Sequence, residues 1–117
     1  MQNDYESDMI EQIREMDDAE GSLLREIVDT FLADAPERLA ECDAAFAAGD
    51  QERVHRVAHT LKGSSSNLGL IGIAAAANQI VDSIRSGGQA SAAEVDALHA
   101  AWERAQAIIQ TEILRQG

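Results

Sequence analysis

The sequence predicts an all-α fold, an antiparallel up-and-down four-helix bundle with an additional short N-terminal helix. Three observations lead there. The 117 residues are 45% hydrophobic with only one proline, and aromatics make up just 3%. Much of the apolar content is alanine, which favours helix and lets helices pack closely. Apolar residues recur at steps of three and four. The breaks between these segments are short, and short connections favour antiparallel neighbours. The length fits one domain over residues 1–117 with a single core.

Each element follows in order. Met9, Ile10, Ile13 and Met16 stand at helical spacing within residues 5–16 and predict a short first helix. From about Ala19 to Ala48 the chain reads as helix, with Leu23, Leu24, Ile27, Val28, Phe31 and Leu32 on one stripe. Leu39, Cys42, Asp43 and Phe46 continue that stripe with a polar interruption. Pro36 removes a backbone donor and crowds the carbonyl four residues before it, while Asp34–Glu37 has the form of a capping box. One long helix bent at Pro36 and two helices meeting there both satisfy this pattern. Gly49 ends the segment, and Asp50 is a good N-cap for a helix running to about Leu68. Gly69 stops it. Leu70–Ser86 is the next helix, with Leu70, Ile73, Ala77, Ile80 and Ile84 on one face. Gly87 and Gly88 turn the chain, and Ser91–Glu94 is a second capping box. Val95, Leu98, Trp102, Ala105 and Ile109 then make a packing seam, and Trp102 reads as core.

The formal net charge is −12. That excludes a general nucleic-acid surface, which needs a basic stripe, and docking on an anionic membrane. The nine basic residues are unevenly placed: Arg53, Arg56 and Lys62 fall within ten residues, and Lys62 is the only lysine. Cys42 is alone, so no internal disulfide forms. No segment approaches the roughly 20 apolar residues of a membrane span, and the polar, acidic N-terminus has no signal-like apolar run. The expectation is a cytoplasmic, stand-alone, monomeric protein.

The stretch from Ala58 to Gly69, AHTLKGSSSNLG, carries the chemistry. On a wheel at about 100° per residue, Val54, Val57, Ala58, Leu61 and Leu68 share one side with Ser64 and Ser65. His59 falls almost opposite and is predicted to face solvent, in the same half as Glu52, His55, Arg56, Lys62, Gly63 and Ser66. Gly63 lies one turn beyond His59 on this face. A glycine within a helix costs about 1 kcal/mol relative to alanine, but here it leaves room beside the imidazole. Lys62 brings a cation to the same space. Imidazole, clearance and a single cation suit an anionic group carried on a ring nitrogen. A lone surface histidine is ordinarily without function, and a glycine near a helix end ordinarily belongs to its termination; the combination is what points to a site.

This stretch resembles the signature of the histidine-containing phosphotransfer (HPt) domains of two-component phosphorelays. The preceding LLREIVDTFLADAPERLAECDAAFAAGD looks like that family's long helix, and the following helices fit over about residues 5–115. The resemblance implies that His59 carries a phosphoryl group to and from aspartates of receiver domains in response regulators or hybrid histidine kinases. It implies that Lys62 helps neutralise the phosphoryl charge and that Gly63 leaves room for it and for the partner. It implies a phosphoryl carrier with no kinase or ATPase activity and no cofactor of its own, the receiver supplying the metal ion. One departure stands out. The glutamine that several members place on the next helix maps to Val81, and Gln79 points to the opposite side of that helix.

Other readings compete. His55, Arg56 and Ser66 are expected to form part of the partner-docking face. His55 and His59 are also spaced i, i+4, with Glu52 below, as metal ligands can be. Arg56 stands where a zinc-protease glutamate would be needed, and no second helix offers a matching motif, so no metal site is expected. His99 reads as an ordinary helix-surface residue. The alternative function is a receiver-binding interaction module of the same fold that is never phosphorylated.

Overall fold

A computed structural model describes residues 4–114, and every described regular element is helical. The order is α1 (Asp8–Met16), α2 (Ser22–Ala47), α3 (Gln51–Ser66), α4 (Ile71–Arg85) and α5 (Ala92–Ile108), with a π-helical turn, Ile109–Ile113, continuing α5. α3 packs between α2 and α4, and α4 packs against α5. The circuit closes between α5 and α2, where Trp102 meets Phe31 edge-on at a centroid distance of 5.7 Å. Such a pair adds about 0.5–1.5 kcal/mol beyond its buried area. The core runs the length of the bundle through Val28, Leu39, Leu61, Ile73, Ile80 and Leu98.

α2 is one helix with Pro36 inside it. Ala35 and Leu39 are buried on either side of the exposed proline, so packing holds the helix together across the missing N–H. Asp34 does not cap a new helix; its carboxylate takes a hydrogen bond from Arg38 Nε at 3.3 Å. The start of α2 lies later than the sequence suggests. Gly21 adopts a left-handed φ of 73°, and two carboxylates from the preceding turn take the free N–H groups. Asp17 accepts from Leu23 and Leu24, both at 2.8 Å, and Asp18 accepts from Ser22 at 3.0 Å. Burial alone would push Asp17 upward, but the N–H groups of Leu24, Leu23 and Asp18 outweigh it and hold the carboxyl below its ordinary value. Asp18 is lowered chiefly by its hydrogen bond from the Ser22 backbone.

α3 opens on Asp50, whose carboxylate accepts from Arg53 N at 3.2 Å. It ends two residues before Leu68, in a turn closed by Gly69 at φ 72°. A side chain at Gly69 would run into the Glu6 carbonyl oxygen, because the chain ahead of α1 crosses this turn. There Glu6 N donates to Gly69 O at 2.8 Å and Gly72 N donates to Asp4 O at 3.1 Å. α4 has no side-chain cap of its own, so the Asp4 carbonyl takes one of its free donors. Arg104 of α5 pins Asp4 through its carboxylate at 3.0 Å. The capping box on α5 forms as the sequence predicts, and Glu94 also accepts from Ser83 of α4 at 2.6 Å.

Contacts distant in sequence complete the frame. His99 is not idle: its Nε2 lies 2.8 Å from Asp43, joining α5 to α2. Arg14 of α1 donates to the Ile113 carbonyl at 3.1 Å, satisfying one of the acceptors left at the end of the last helix. Met16, at the end of α1, is 72% exposed and contributes nothing to the core. Among the described residues, no helix is long and apolar enough to cross a membrane.

Candidate functional site

The inner face of α3 fixes where its outer face points. Val54, Val57, Ala58, Leu61 and Ser65 are buried among α2 and α4. His59, Arg56, Thr60, Gly63 and Ser66 are exposed on the other side, with His55 and Lys62 half-buried at its edge. The ion pairs on the α2 seam hold α3 in register. Arg53 reaches Glu41 at 3.3 Å, and Glu41 is shared with Arg38 at 2.9 Å. Each such half-exposed pair is worth at most about 1 kcal/mol, but together they bridge α2 and α3.

Ser64 and Ser65 behave differently. Ser65 is fully buried, and its hydroxyl has no hydrogen-bond partner. Ser64 is half-buried at the seam and donates to the Leu61 carbonyl at 3.3 Å. On the outer face, the Ser66 hydroxyl donates to the Lys62 carbonyl at 2.8 Å and Thr60 to the Arg56 carbonyl at 3.1 Å. Those protons are spent on the helix itself, which leaves the oxygens to face outward as acceptors.

The imidazole of His59 has unlike neighbours along the helix. Helical side chains lean toward the N-terminus, so a residue covers the turn before its own Cα. A side chain at position 63 would therefore lie over His59. Gly63 has none, and a Cβ placed there would meet nothing within 4 Å. On the other side His55 stacks on His59, with ring centroids 6.3 Å apart and planes 22° from parallel. An open hollow lies there, lined by Glu52, His55, Arg56, His59 and Thr60. Arg56 Nη1 stands 3.7 Å from Glu52, both largely exposed. The sequence pointed to Glu52, His55, Arg56 and His59 on this face, but not to Thr60, and it did not anticipate the stacking or the hollow. At the position where the resemblance would put a glutamine, Val81 is buried and carries no amide, and Gln79 is exposed on α4. Among the described residues, no three His, Cys, Asp or Glu side chains are grouped to hold a metal ion.

A second hollow follows the α2–α3 seam, lined by Ile27, Thr30, Phe31, Asp34, Ser64, Asn67 and Leu68. No local pattern marks it, because its walls come from segments roughly 30 to 40 positions apart in the chain, and only folding brings them together.

The outer face of α3 thus displays the His59 imidazole, stacked on His55 on one side and cleared by Gly63 on the other. The chain belongs to the Hpt domain family, whose pattern it matches over residues 26–108. The match takes in most of α2, all of α3 and α4, and α5. Members of this family perform phosphotransfer in two-component signalling and engage receiver domains of response regulators. Comparison with curated proteins and with solved structures returned no match.

Proposed function

We propose that this protein is a phosphorelay intermediate in which His59 accepts a phosphoryl group from the aspartate of one receiver domain and donates it to another. The observation that carries this reading is the exposed His59 imidazole beside the side-chain-free Gly63, on a helix held by packing on both flanks. A histidine forms a covalent intermediate readily, and phosphoryl transfer depends mostly on positioning and charge stabilisation. In the accepting step, the lone pair of the unprotonated ring nitrogen forms the N–P bond. The aspartyl O–P bond breaks, and the carboxylate leaves with its electron pair. Lys62 neutralises part of the phosphoryl charge. Gly63 admits the phosphoryl group and the partner's loops. His55, Arg56 and Ser66 belong to the docking face.

The same reading takes residues 1–117 as one domain, an antiparallel up-and-down four-helix bundle with α1 laid against it, working as a cytoplasmic monomer. The test is phosphoryl transfer from a panel of phosphorylated receiver domains to the wild type and to His59→Gln. Acid-labile, base-stable label on the wild type alone supports the carrier. A folded protein that binds a receiver but takes no label from any of them is instead an interaction module.

A further inference from the structure

The hollow beside His59 lies on its N-terminal side and is lined by His55 and Arg56; Lys62 and Gly63 take no part in it. This is the direction in which a helical side chain leans. A group added to the outer ring nitrogen of His59, Nε2, therefore extends over the turn that holds His55. The His55 ring is already stacked on that of His59 at 6.3 Å. Neutral imidazole takes up a proton near physiological pH, so it can answer the arrival of an anion by becoming a cation.

We propose that His55 is a second cationic partner of the phosphoryl group, and that phosphorylation of His59 is coupled to proton uptake by His55. The proposal rests on His59 being the acceptor. It places His55 in contact with the phosphoryl oxygens rather than only on the docking face. The proton comes from solvent and goes to the free ring nitrogen of His55, while the N–P bond forms on His59 as described.

The surrounding charges leave this role open to His55. On its own helix Glu52 and Arg56 face each other at 3.7 Å. On the α2 side Arg53 is engaged by Glu41 at 3.3 Å. On α4, which packs against α3, Asp82 and Arg85 are exposed and Asn78 is half-buried. Asp82 there accepts a hydrogen bond from Asn78 at 3.2 Å. None of these places a second anion in the hollow beyond Glu52. A phosphoryl group adds close to two negative charges. At 5–6 Å, through solvent-like surroundings, that raises the midpoint of a neighbouring imidazole by about one pH unit. By reciprocity, protonated His55 favours the phosphorylated form by up to about tenfold. The preference is complete at pH below both midpoints and vanishes above them.

The test uses the full chain and potassium phosphoramidate, which transfers its phosphoryl group to histidine as ammonia leaves. NMR titration follows His55 and His99 with and without the label, His55 being assigned through His55→Gln. The expected result is a His55 curve moved about one unit to higher pH, less so in high salt, while His99 on α5 stays in place. Label on His59 with an unmoved His55 curve overturns the proposal and leaves the carrier reading intact. Failure of His59 to take label overturns both.

Discussion

Gly63 is the position where stability and the proposed function oppose each other most directly, and its replacement separates them. The residue has ordinary helical backbone, and an added Cβ meets nothing within 4 Å. Gly63→Ala therefore fits without strain and removes most of the helix-propensity cost of glycine, about 1 kcal/mol in a helix interior. Gly63 lies in the last turn of α3, three residues before Ser66, so about 0.5–1 kcal/mol is the reasonable gain. At about 2.1 cal/mol/K per residue, the unfolding entropy of a chain this size turns that gain into a Tm rise of about 2–4 °C. Gly63→Gln gains somewhat less, but its side chain leans over His59 and occupies the space a phosphoryl donor needs. Displacement of reacting atoms by about 1 Å can cost 100-fold, so transfer to Gly63→Gln should fall at least about tenfold. Thermal melts by circular dichroism and rapid-quench transfer from a phosphorylated receiver measure the two effects. A destabilised Gly63→Ala would show that the glycine is required by the backbone. Gly63→Gln transferring at the wild-type rate would show that the cleared space is not used.

Three further outcomes follow from the geometry. Ser65→Ala removes a buried hydroxyl without a partner, and an unsatisfied group of that kind costs about 1–3 kcal/mol; the variant should match or exceed wild-type stability in urea, and a loss of 1 kcal/mol or more would reveal a hidden partner. Asp17, Asp18 and Glu94 are all held below their ordinary values near 4, Glu94 chiefly by the Ser83 hydroxyl. Their stabilisation is therefore complete above that range and lost as pH falls through the lower folded values, so urea midpoints should drop between pH 5 and pH 3, and less steeply in Asp17→Asn/Glu94→Gln. Cys42 is fully buried, and burial, aided by Asp43 and Glu41, pushes its thiol up to about 11; iodoacetamide should label it only as fast as the protein opens, and prompt labelling in the native state would contradict the packing of α2.

Where local spacing decides the structure, the sequence was a sufficient guide. The outward placement of His59 follows from Val54, Val57, Ala58 and Leu61 alone, since an apolar stripe of this width must turn inward. Asp50 and the Ser91–Glu94 box cap the helices they precede because capping involves only neighbouring backbone. Pro36 was ambiguous because one missing N–H is compatible with a break or a continuation; burial of Ala35 and Leu39 decides for continuation. α2 starts later than residue spacing predicts because Asp17 and Asp18 bond forward across Gly21, a turn that spacing alone does not display. His99–Asp43 and Arg14–Ile113 join residues 56 and 99 positions apart, and no local pattern marks such pairs. The His55–His59 stack was legible as spacing, but its ring geometry and the hollow beside it depend on rotamers.

The two faces of α3 divide its residues into separate inheritances. Residues 54, 57, 58, 61 and 65 answer to the core, where a change of one methylene is felt. Residues 52, 56, 60 and 66 are exposed and take no part in the core, and surface substitutions of this kind usually alter stability by less than about 0.5 kcal/mol. Duplicated copies of such a chain can therefore drift apart in the company they keep while remaining equally well folded. On the function proposed above, such a bundle changes the receivers it serves by rewriting one helix face, at little thermodynamic risk to the fold.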